Sequence, residues 1–289
     1  MAPTGYVAAF GVGTTVVLLV LQRVAHRFYA SNAPRAADVN AIARTPSGVA
    51  WLLDRVGETV ATFMLSAAVV ENCVVGTDMM RDALVALVFG VAGLVLIQVV
   101  GHAASRLLLR GRLRSELDRG NVAAGIAAGS HYVAIGLFAS RAVAGSDLHG
   151  LGLSVAFFAI AQVTHMTFLM LFRALTVYDD SEQIEGDNVA AAISYAGVTI
   201  AIALVIGRAL EGDFEGWKVS LKGFGLLALW VLALYPIRQV IVQGLLLGKQ
   251  PCLRGGAFDD AIVQERNVGM AAMEAGTYVA AALAISRLA

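Results

Sequence analysis

The stretch RGNVAAGIAAG, residues 119–129, contains a pattern that recurs along the chain. A charged, turn-forming pair leads into an asparagine, after which every residue is small or apolar. Similar phrases stand at 186–197 (GDNVAAAISYAG) and at 265–276 (ERNVGMAAMEAG). Three apolar segments that each begin with Asn-Val predict three helices that start in the same way.

The composition places these helices in a membrane. Of the 289 residues, 58% are hydrophobic and 15% charged, and the mean hydropathy is +0.74. Soluble domains carry roughly 45–50% apolar and about 25% charged residues. A segment of about 20 apolar residues can cross a bilayer. Eight segments meet this length: 6–28, 48–70, 83–108, 121–144, 151–175, 188–209, 221–247 and 267–287. We therefore predict an all-α integral membrane protein with eight transmembrane helices.

Charge and cysteine content exclude several classes of partner. The chain has 21 basic and 21 acidic residues, so nothing indicates a nucleic-acid partner. Cys73 and Cys252 fall at opposite ends of predicted helices and lack a CxxC spacing, so we expect neither a disulfide between them nor a metal site. Since the first apolar segment has no basic region before it, we expect a retained span rather than a signal peptide.

Aligning the three asparagines reveals two further shared positions. A glycine follows eight or nine residues after each asparagine, and an arginine follows twenty residues after it. The three sets are Asn121, Gly129 and Arg141; Asn188, Gly197 and Arg208; and Asn267, Gly276 and Arg287. Agreement at three positions indicates an internal repeat.

Each asparagine-headed helix follows another apolar helix, so the repeated unit is a helical hairpin. The segment 45–69 has Gly48 and Gly57 nine residues apart but lacks the asparagine and the arginine, and we interpret it as a degenerate first copy. The four predicted hairpin units are 1–75, 76–147, 148–216 and 217–289. Since every unit has two helices, all units point the same way, which suits an axis along the membrane normal.

The positive residues orient these hairpins. The loops that precede the asparagine-headed helices hold Arg35, Arg44, Arg106, Arg110, Arg112, Arg114, Arg119, Lys249, Arg254 and Arg266, whereas the loops on the other side hold Arg81, Lys218 and Lys222. By the positive-inside rule the more positive loops face the cytoplasm of a bacterial inner (plasma) membrane, or the matrix if the membrane is the mitochondrial inner membrane. Both termini are then expected on the outer side.

The motif resembles a known family. ELDRGNVAAGIAAG (116–129) and EQIEGDNVAAAISYAG (182–197) are similar to the motif of the domain-of-unknown-function family 350 (DUF350). Those proteins are small bacterial inner-membrane proteins built from helix–loop–Asn-helix hairpins. The third copy departs from the motif at Gly269 and Met270, where the other copies have two alanines. The resemblance implies a multi-pass inner-membrane protein, here enlarged to four units, and implies no activity.

The repeated residues admit structural explanations. Asparagine is a good N-cap because its side-chain oxygen accepts a bond from a free backbone N–H; alternatively, the three asparagines converge on the mouth of a pore or pocket. Small residues let membrane helices approach closely, so we expect the asparagine-headed helices at the centre of the bundle. Twenty residues span about 30 Å of helix, which places the arginines as anchors at the opposite interface.

Polar residues at membrane depth form a candidate intramembrane site. They are Glu274, His131, Gln162, His165, Gln98 and His102, and further polar residues of the predicted spans are Gln22, His26 and Arg238. Ionisable groups inside a membrane are costly and by default indicate function, and histidine suits a proton step. The alternative is a helix-to-helix hydrogen bond or a place near the headgroups, which we favour for His26 and His102.

Two functions remain open. The sequence has no nucleophile elbow, HExxH motif or phosphate loop, so we predict no enzyme, catalytic residue, metal or cofactor. The first function is a channel or transporter for ions or small solutes; the second is a structural subunit of a larger membrane complex. The expected surroundings are the lipid bilayer, with membrane protein partners or a homo-oligomer. A continuous cavity lined by Glu274, His131, Gln162 and His165 would favour transport, and a dry core with separate pairs would favour the structural role.

Overall fold

The structure is a computed structural model that describes residues 4–29, 45–250, 254–255 and 257–288, and these residues form helices without strands. The long helices are α1 (Thr4–Tyr29), α2 (Pro46–Cys73), α3 (Met79–Leu108), α5 (Val122–Arg141), α6 (Leu148–Leu175), α8 (Val189–Ala209), α9 (Trp217–Ala228) with α10 (Val231–Arg238), and α12 (Val268–Leu288). The short helices are α4 (Leu113–Arg119), α7 (Asp180–Glu185) and α11 (Ala257–Val263). After α10 the chain continues in π-helical turns over Gln239–Leu246, so that 217–246 forms one span.

Within the described residues, seven of the eight predicted segments are helices long and apolar enough to cross a membrane. The exception is the segment predicted at 48–70, so the count of eight apolar spans is not confirmed. It lies in α2, a helix of 28 residues that contains Asp54, Arg55 and Glu58. Charged residues at membrane depth are tolerated when they face protein and find partners. Asp54 and Glu58 are both buried, so the polar positions of α2 face other helices.

Four helices, which we call the inner helices, form a row. Along it α2 packs against α5, α5 against α8, and α8 against α12. Ala50 and Ala61, eleven residues apart on α2, face Gly125 and Gly136, eleven residues apart on α5. Equal spacing in the same order means that the two helices run in the same direction. We refer to the end where the inner helices begin as the asparagine side and to the opposite end as the arginine side.

The helices that precede the inner helices run in the opposite direction. Thr15 of α1 bonds to Ser66 of α2, whereas Gln22, later on α1, bonds to Glu58, earlier on α2. Large apolar side chains on α1, α3 and α6 are exposed, including Val12, Val95 and Val163. These preceding helices therefore present apolar surface outward. Four repeated hairpins remain a prediction.

The position of α12 corrects the predicted arrangement. The helices α5 and α8 are largely buried, as expected for central helices, but α12 lies at the end of the row. Its residues Ala272, Gly276 and Ala280 are exposed. In the described part of the chain α2 and α12 have no extended contact, so the inner helices do not close around an axis. The prediction of a central place was therefore wrong for α12.

Small residues determine the closest helix contacts, as the sequence indicated. A Cβ added at Gly57 would overlap the backbone of Gly129 on α5, and one added at Gly197 would overlap Ala275 on α12. Because contact between membrane helices depends on van der Waals packing, these glycines set the distance between neighbouring inner helices.

Candidate functional site

The three asparagines are N-caps, which confirms the structural interpretation of these residues. Each side-chain oxygen accepts a bond from the backbone N–H three residues later: Ala124 to Asn121 at 2.8 Å, Ala191 to Asn188 at 3.2 Å, and Met270 to Asn267 at 3.0 Å. In the first inner helix, Thr45 Oγ1 accepts from Gly48 N at 3.1 Å. Thr45 is therefore the N-cap of this helix. Gly48, which stands nine residues before Gly57 as Asn188 stands before Gly197, has no side chain and cannot cap.

The side-chain nitrogen of the asparagine links neighbouring inner helices. Asn121 Nδ2 donates to Glu116 Oε2 and to Ile184 O, each at 2.7 Å. Asn188 repeats the pattern with Gln183 Oε1 at 2.9 Å and Ile262 O at 3.0 Å. Ile184 and Ile262 belong to the short helices that precede the next inner helix. An amide is required here because serine, threonine and ionised aspartate cannot cap a helix and supply two donors as well.

This geometry does not gather the asparagines around a pore. Asn121 and Asn188 are buried and their polar atoms are bonded within the bundle. Asn267 is exposed, and its side-chain nitrogen has no hydrogen bond within the described residues. The asparagines thus lie one per helix along the row.

The repeated arginines lie at the arginine side of the bundle. Arg141 and Arg208, on the neighbouring helices α5 and α8, both pair with Glu211. Arg287 is exposed at the end of α12. These positions agree with the predicted role as anchors at the interface.

The six residues of the predicted polar site do not come together. Among the described residues they fall into separate clusters rather than lining one continuous cavity. His131 and His165 meet in the core, Glu274 lies with Arg238, and His102 lies beside α2. Gln98 and Gln162 are half-buried, and Gln98 Nε2 and Gln162 Oε1 have no hydrogen-bond partner among the described residues.

The first cluster is a pair of histidines on α5 and α6. His131 and His165 are fully buried, with ring centroids 6.2 Å apart. His131 Nε2 lies 2.6 Å from the hydroxyl of Tyr195 on α8. His165 Nε2 donates to the carbonyl of Thr199 at 3.1 Å, which fixes the proton on that nitrogen because a carbonyl only accepts. In the described part of the molecule, neither Nδ1 atom has a hydrogen-bond partner.

The second cluster surrounds Glu274. Arg238 of α10 donates to one oxygen of Glu274, and the hydroxyl of Ser194 donates to the other. Asp259 Oδ1 lies 3.5 Å from the same guanidinium. The side chains of Arg238, Glu274 and Asp259 are all buried. The sequence placed Arg238 and Glu274 in different spans but gave no sign that they are partners.

A small cavity of about 30 Å³ adjoins this cluster, and Tyr195 and Asp180 also line it. A space of this size holds about one water molecule. Tyr195 therefore borders both the histidine pair and the Glu274 cluster. Burial raises the pKa of Asp180, on the short helix α7, to about 7, although the guanidinium of Arg173 at 3.3 Å opposes the shift.

The third cluster was missed by the sequence analysis. Glu58 Oε2 lies 2.7 Å from His26 Nε2, 3.0 Å from Arg55 Nη1 and 3.2 Å from Gln22 Nε2. Asp54 is buried one turn earlier on the same face of α2. The available signal was the occurrence of Asp54, Arg55 and Glu58 inside one predicted span, where charges are costly.

A large cavity opens at the arginine side. It has a volume of about 1010 Å³ and lies between α2, α5, α6 and α9. Its charged lining residues are Glu71, Asp147, Glu211, Asp213 and Glu215 together with Arg141. Five acidic residues against one arginine give the cavity a negative potential. Leu137 lines its inner part, and His131 lies six residues deeper on α5, about 9 Å along the helix.

No group of three metal-binding side chains is placed to hold a metal ion within the described residues. Cys73 is buried and free, and Cys252 lies outside the part of the chain that the structure describes.

The helices and buried polar clusters define a multi-pass membrane protein. The chain belongs to the DUF350 family, whose model (Domain of Unknown Function) matches residues 78–151 and 146–288. This agrees with the resemblance of the motif, and the two matches fit an enlarged form. The helices α1 and α2 lie outside both matched ranges.

A curated relative supports the membrane class. A UPF0719 transmembrane protein of Aquifex aeolicus (strain VF5) is 23% identical over 174 residues, which cover 59% of this chain and 62% of that protein. No solved structure matches the chain. Neither name assigns a substrate, so the function rests on the site.

Proposed function

We propose that the protein transports protons across the membrane through a relay of buried side chains. The observation that carries this proposal is the 2.6 Å contact between His131 and Tyr195, which joins α5 to α8. It connects the histidine pair on one side with the Glu274 cluster on the other.

The acidic cavity is the first part of the path. Charges of one sign in a cleft concentrate the opposite ion, so this cavity raises the local concentration of cations, including protons. Leu137 and the buried ring of Phe138 separate the cavity from the histidines, and Phe138 contacts His165 with ring centroids 5.3 Å apart. Water therefore reaches the histidines only when these apolar side chains move.

The histidine pair is the second part. Imidazole can accept a proton on one nitrogen and release one from the other. The Nδ1 atoms of His131 and His165 have no hydrogen-bond partner in the described part of the chain, so they are available to accept or release a proton. The Tyr195 hydroxyl both donates and accepts, so it can pass a proton between His131 and the small cavity.

The small cavity is the third part. Its lining includes Glu274 and Asp180, and Asp180 lies outside the membrane spans at the asparagine side. Because the pKa of Asp180 is about 7, this carboxyl can take up and release protons near neutral pH. Separate clusters were expected to favour the structural role, but Tyr195 joins two of them. A relay works with paired groups and does not require an open pore, so this connection supports a relay rather than an open channel.

The test is proton flux in reconstituted vesicles that contain a pH-sensitive dye, driven by a potassium gradient with valinomycin. We expect His131→Gln and Glu274→Gln to reduce flux at least tenfold relative to the unmodified protein. The control is His102→Gln, because His102 lies in another cluster and should leave flux unchanged. Unchanged flux in both His131→Gln and Glu274→Gln would contradict the proposal.

A structural role in a larger assembly is favoured by a separate observation on α12. Gly197 of α8 packs against α12, whereas a Cβ added at Gly276, at the same distance from its asparagine, would meet no other part of the described chain within 4 Å. Ala272, Gly276, Ala280 and Ala284 form an exposed row of small residues. Asn267 likewise lacks the link that Asn121 and Asn188 make to the next helix. We infer that this open face continues the row by packing against α12 of a second copy.

Disulfide crosslinking in native membranes tests this second role. Gly276→Cys in a Cys252→Ser background should form a dimer on mild oxidation. Val56→Cys is the matched control, because Val56 is 57% exposed at a similar depth on α2. Equal crosslinking of both variants, or none at Gly276→Cys, would contradict a dimer through α12.

A further inference from the structure

A second polar cavity lies apart from the proposed proton path. It has a volume of about 150 Å³ and is lined at the asparagine side by residues of α1, α2, α3 and the region around α4. Its lining includes Trp51, Asp54, Glu58, Arg106 and Arg114. It shares no lining residue with the cavity near Glu274.

Asp54 lines this cavity and has a buried carboxylate oxygen without a hydrogen-bond donor in the described part of the chain. Its residue is 5% exposed, and its Oδ1 atom has no hydrogen-bond partner among the described residues. Glu58, one turn later, is surrounded by donors from Gln22, His26 and Arg55. A buried carboxylate oxygen without a donor is costly, so a donor from a bound molecule would stabilise the site.

The charges of the inner part of the cavity indicate a cation. The inner part of the cavity holds two carboxyl groups, Asp54 and Glu58, and both nearby basic side chains lie against Glu58: Arg55 at 3.0 Å and His26 at 2.7 Å. Asp54 forms no ion pair within the described residues, so a positive group bound beside it would give this buried carboxyl a partner. A metal ion fits poorly, because no group of three metal-binding side chains is present in the described part of the chain.

The open side of the cavity has the opposite charge. Arg106 and Arg114 line it and are exposed, and His102 is half-buried beside them. A molecule that places a positive group at Asp54 would therefore present its other end to arginines, which bind carboxylate and phosphate groups well.

We propose that this cavity binds a small zwitterion, with its ammonium group at Asp54 and its carboxylate or phosphate at Arg106 and Arg114. The volume is similar to that of a cavity that holds about six heavy atoms, the size of benzene. A small α-amino acid fits this limit. The headgroup of an ethanolamine phospholipid has the same chemistry, so the ligand can come from solution or from the membrane.

Calorimetry on the full-length protein in lipid-free detergent tests the soluble source, with glycine, alanine and phosphoethanolamine as probes. We expect saturable binding that Asp54→Asn weakens at least tenfold. Arg114→Gln should weaken glycine binding but leave the binding of ethylammonium unchanged. Glu71→Gln, at the other end of α2, is the matched control and should bind as the unmodified protein does.

Native mass spectrometry tests the membrane source. Phosphatidylethanolamine retained by the unmodified protein and by Glu71→Gln, but lost in Asp54→Asn, would support binding of the headgroup. The proposal is overturned if no probe binds saturably and no such lipid is retained, or if Asp54→Asn binds as tightly as the unmodified protein. A folded Asp54→Asn variant, judged by its helical circular dichroism, makes the comparison valid.

Discussion

Asn121 donates a hydrogen bond from its side-chain nitrogen to the carbonyl of Ile184 at 2.7 Å, and so ties the start of α5 to the short helix before α8. The same side chain caps α5 through its oxygen. Asn121 thus pairs one free backbone N–H at the N-terminus of α5 and also fixes the position of the neighbouring inner helix.

This double role predicts unequal effects of the same substitution. Asn121→Ser keeps a capping oxygen but loses the links to Glu116 and Ile184, so we expect the free energy of unfolding to fall by about 1–3 kcal/mol. Asn267→Ser, at an exposed cap without such links, should change it by about 0.5 kcal/mol or less. Chemical unfolding in detergent measures both. Equal losses would show that the amide links contribute nothing.

The buried pair of Arg238 and Glu274 predicts a large effect from removing one partner. Arg238→Gln leaves the Glu274 carboxylate buried without its cation, and we expect a loss of about 3–5 kcal/mol in the free energy of unfolding. Arg208→Gln is the matched control, because Arg208 pairs with Glu211 at the exposed arginine side; we expect about 1 kcal/mol or less. The double variant, which combines Arg238→Gln with Glu274→Gln, should recover part of the lost stability. A double variant less stable than Arg238→Gln alone would refute this explanation.

The pKa of Asp180 predicts a pH-dependent stability. Burial raises that pKa from 3.8 to about 7, with Arg173 opposing the shift and Glu274 and Asp179 adding to it. Between pH 4 and 7 the unfolded chain has released this proton while the folded protein keeps it, so stability falls as pH rises across that window. Asp180→Asn should lack this contribution, and its stability relative to the unmodified protein should increase from pH 4 to pH 7. Thermal unfolding at several pH values measures it; a constant difference would contradict the assignment.

The contact between Gly57 and Gly129 predicts opposite signs for two glycine substitutions. Gly57→Ala places a methyl group into the backbone of α5, and we expect a loss of about 1–3 kcal/mol. Gly13→Ala, whose added methyl group on α1 would meet no neighbouring part of the described chain within 4 Å, should gain up to about 1 kcal/mol from helix propensity. Thermal unfolding in the same detergent compares them. A stabilising Gly57→Ala would mean that α2 and α5 are not in close contact.

The sequence alone predicted the features that depend on residues close together in the chain. Apolar segments and Asn-Val starts predicted where the inner helices begin, because capping acts within three residues. The direction of the helices followed from the alternation of spans. The arginine anchors followed from the rise of a helix, since twenty residues match the thickness of the hydrocarbon layer.

Features that depend on contacts between helices could not be predicted in this way. Arg238 and Glu274 are 36 residues apart, and only the packing of α10 on α12 brings them together. His131 and Tyr195 meet because α5 and α8 are neighbours in the row. The end position of α12 was also hidden, because its small residues match those of a buried helix. Asp54 and Glu58, by contrast, could have been identified from the charges in their span.

Proton flux through Tyr195→Phe tests the central claim most directly. The substitution removes only the hydroxyl that joins His131 to the small cavity and keeps the ring, so the packing of α5 on α8 should persist. We expect flux in valinomycin-driven vesicles to fall at least tenfold relative to the unmodified protein, while Tyr132→Phe, outside the path, stays near the original rate. Flux in Tyr195→Phe equal to that of the unmodified protein would contradict a relay through this residue.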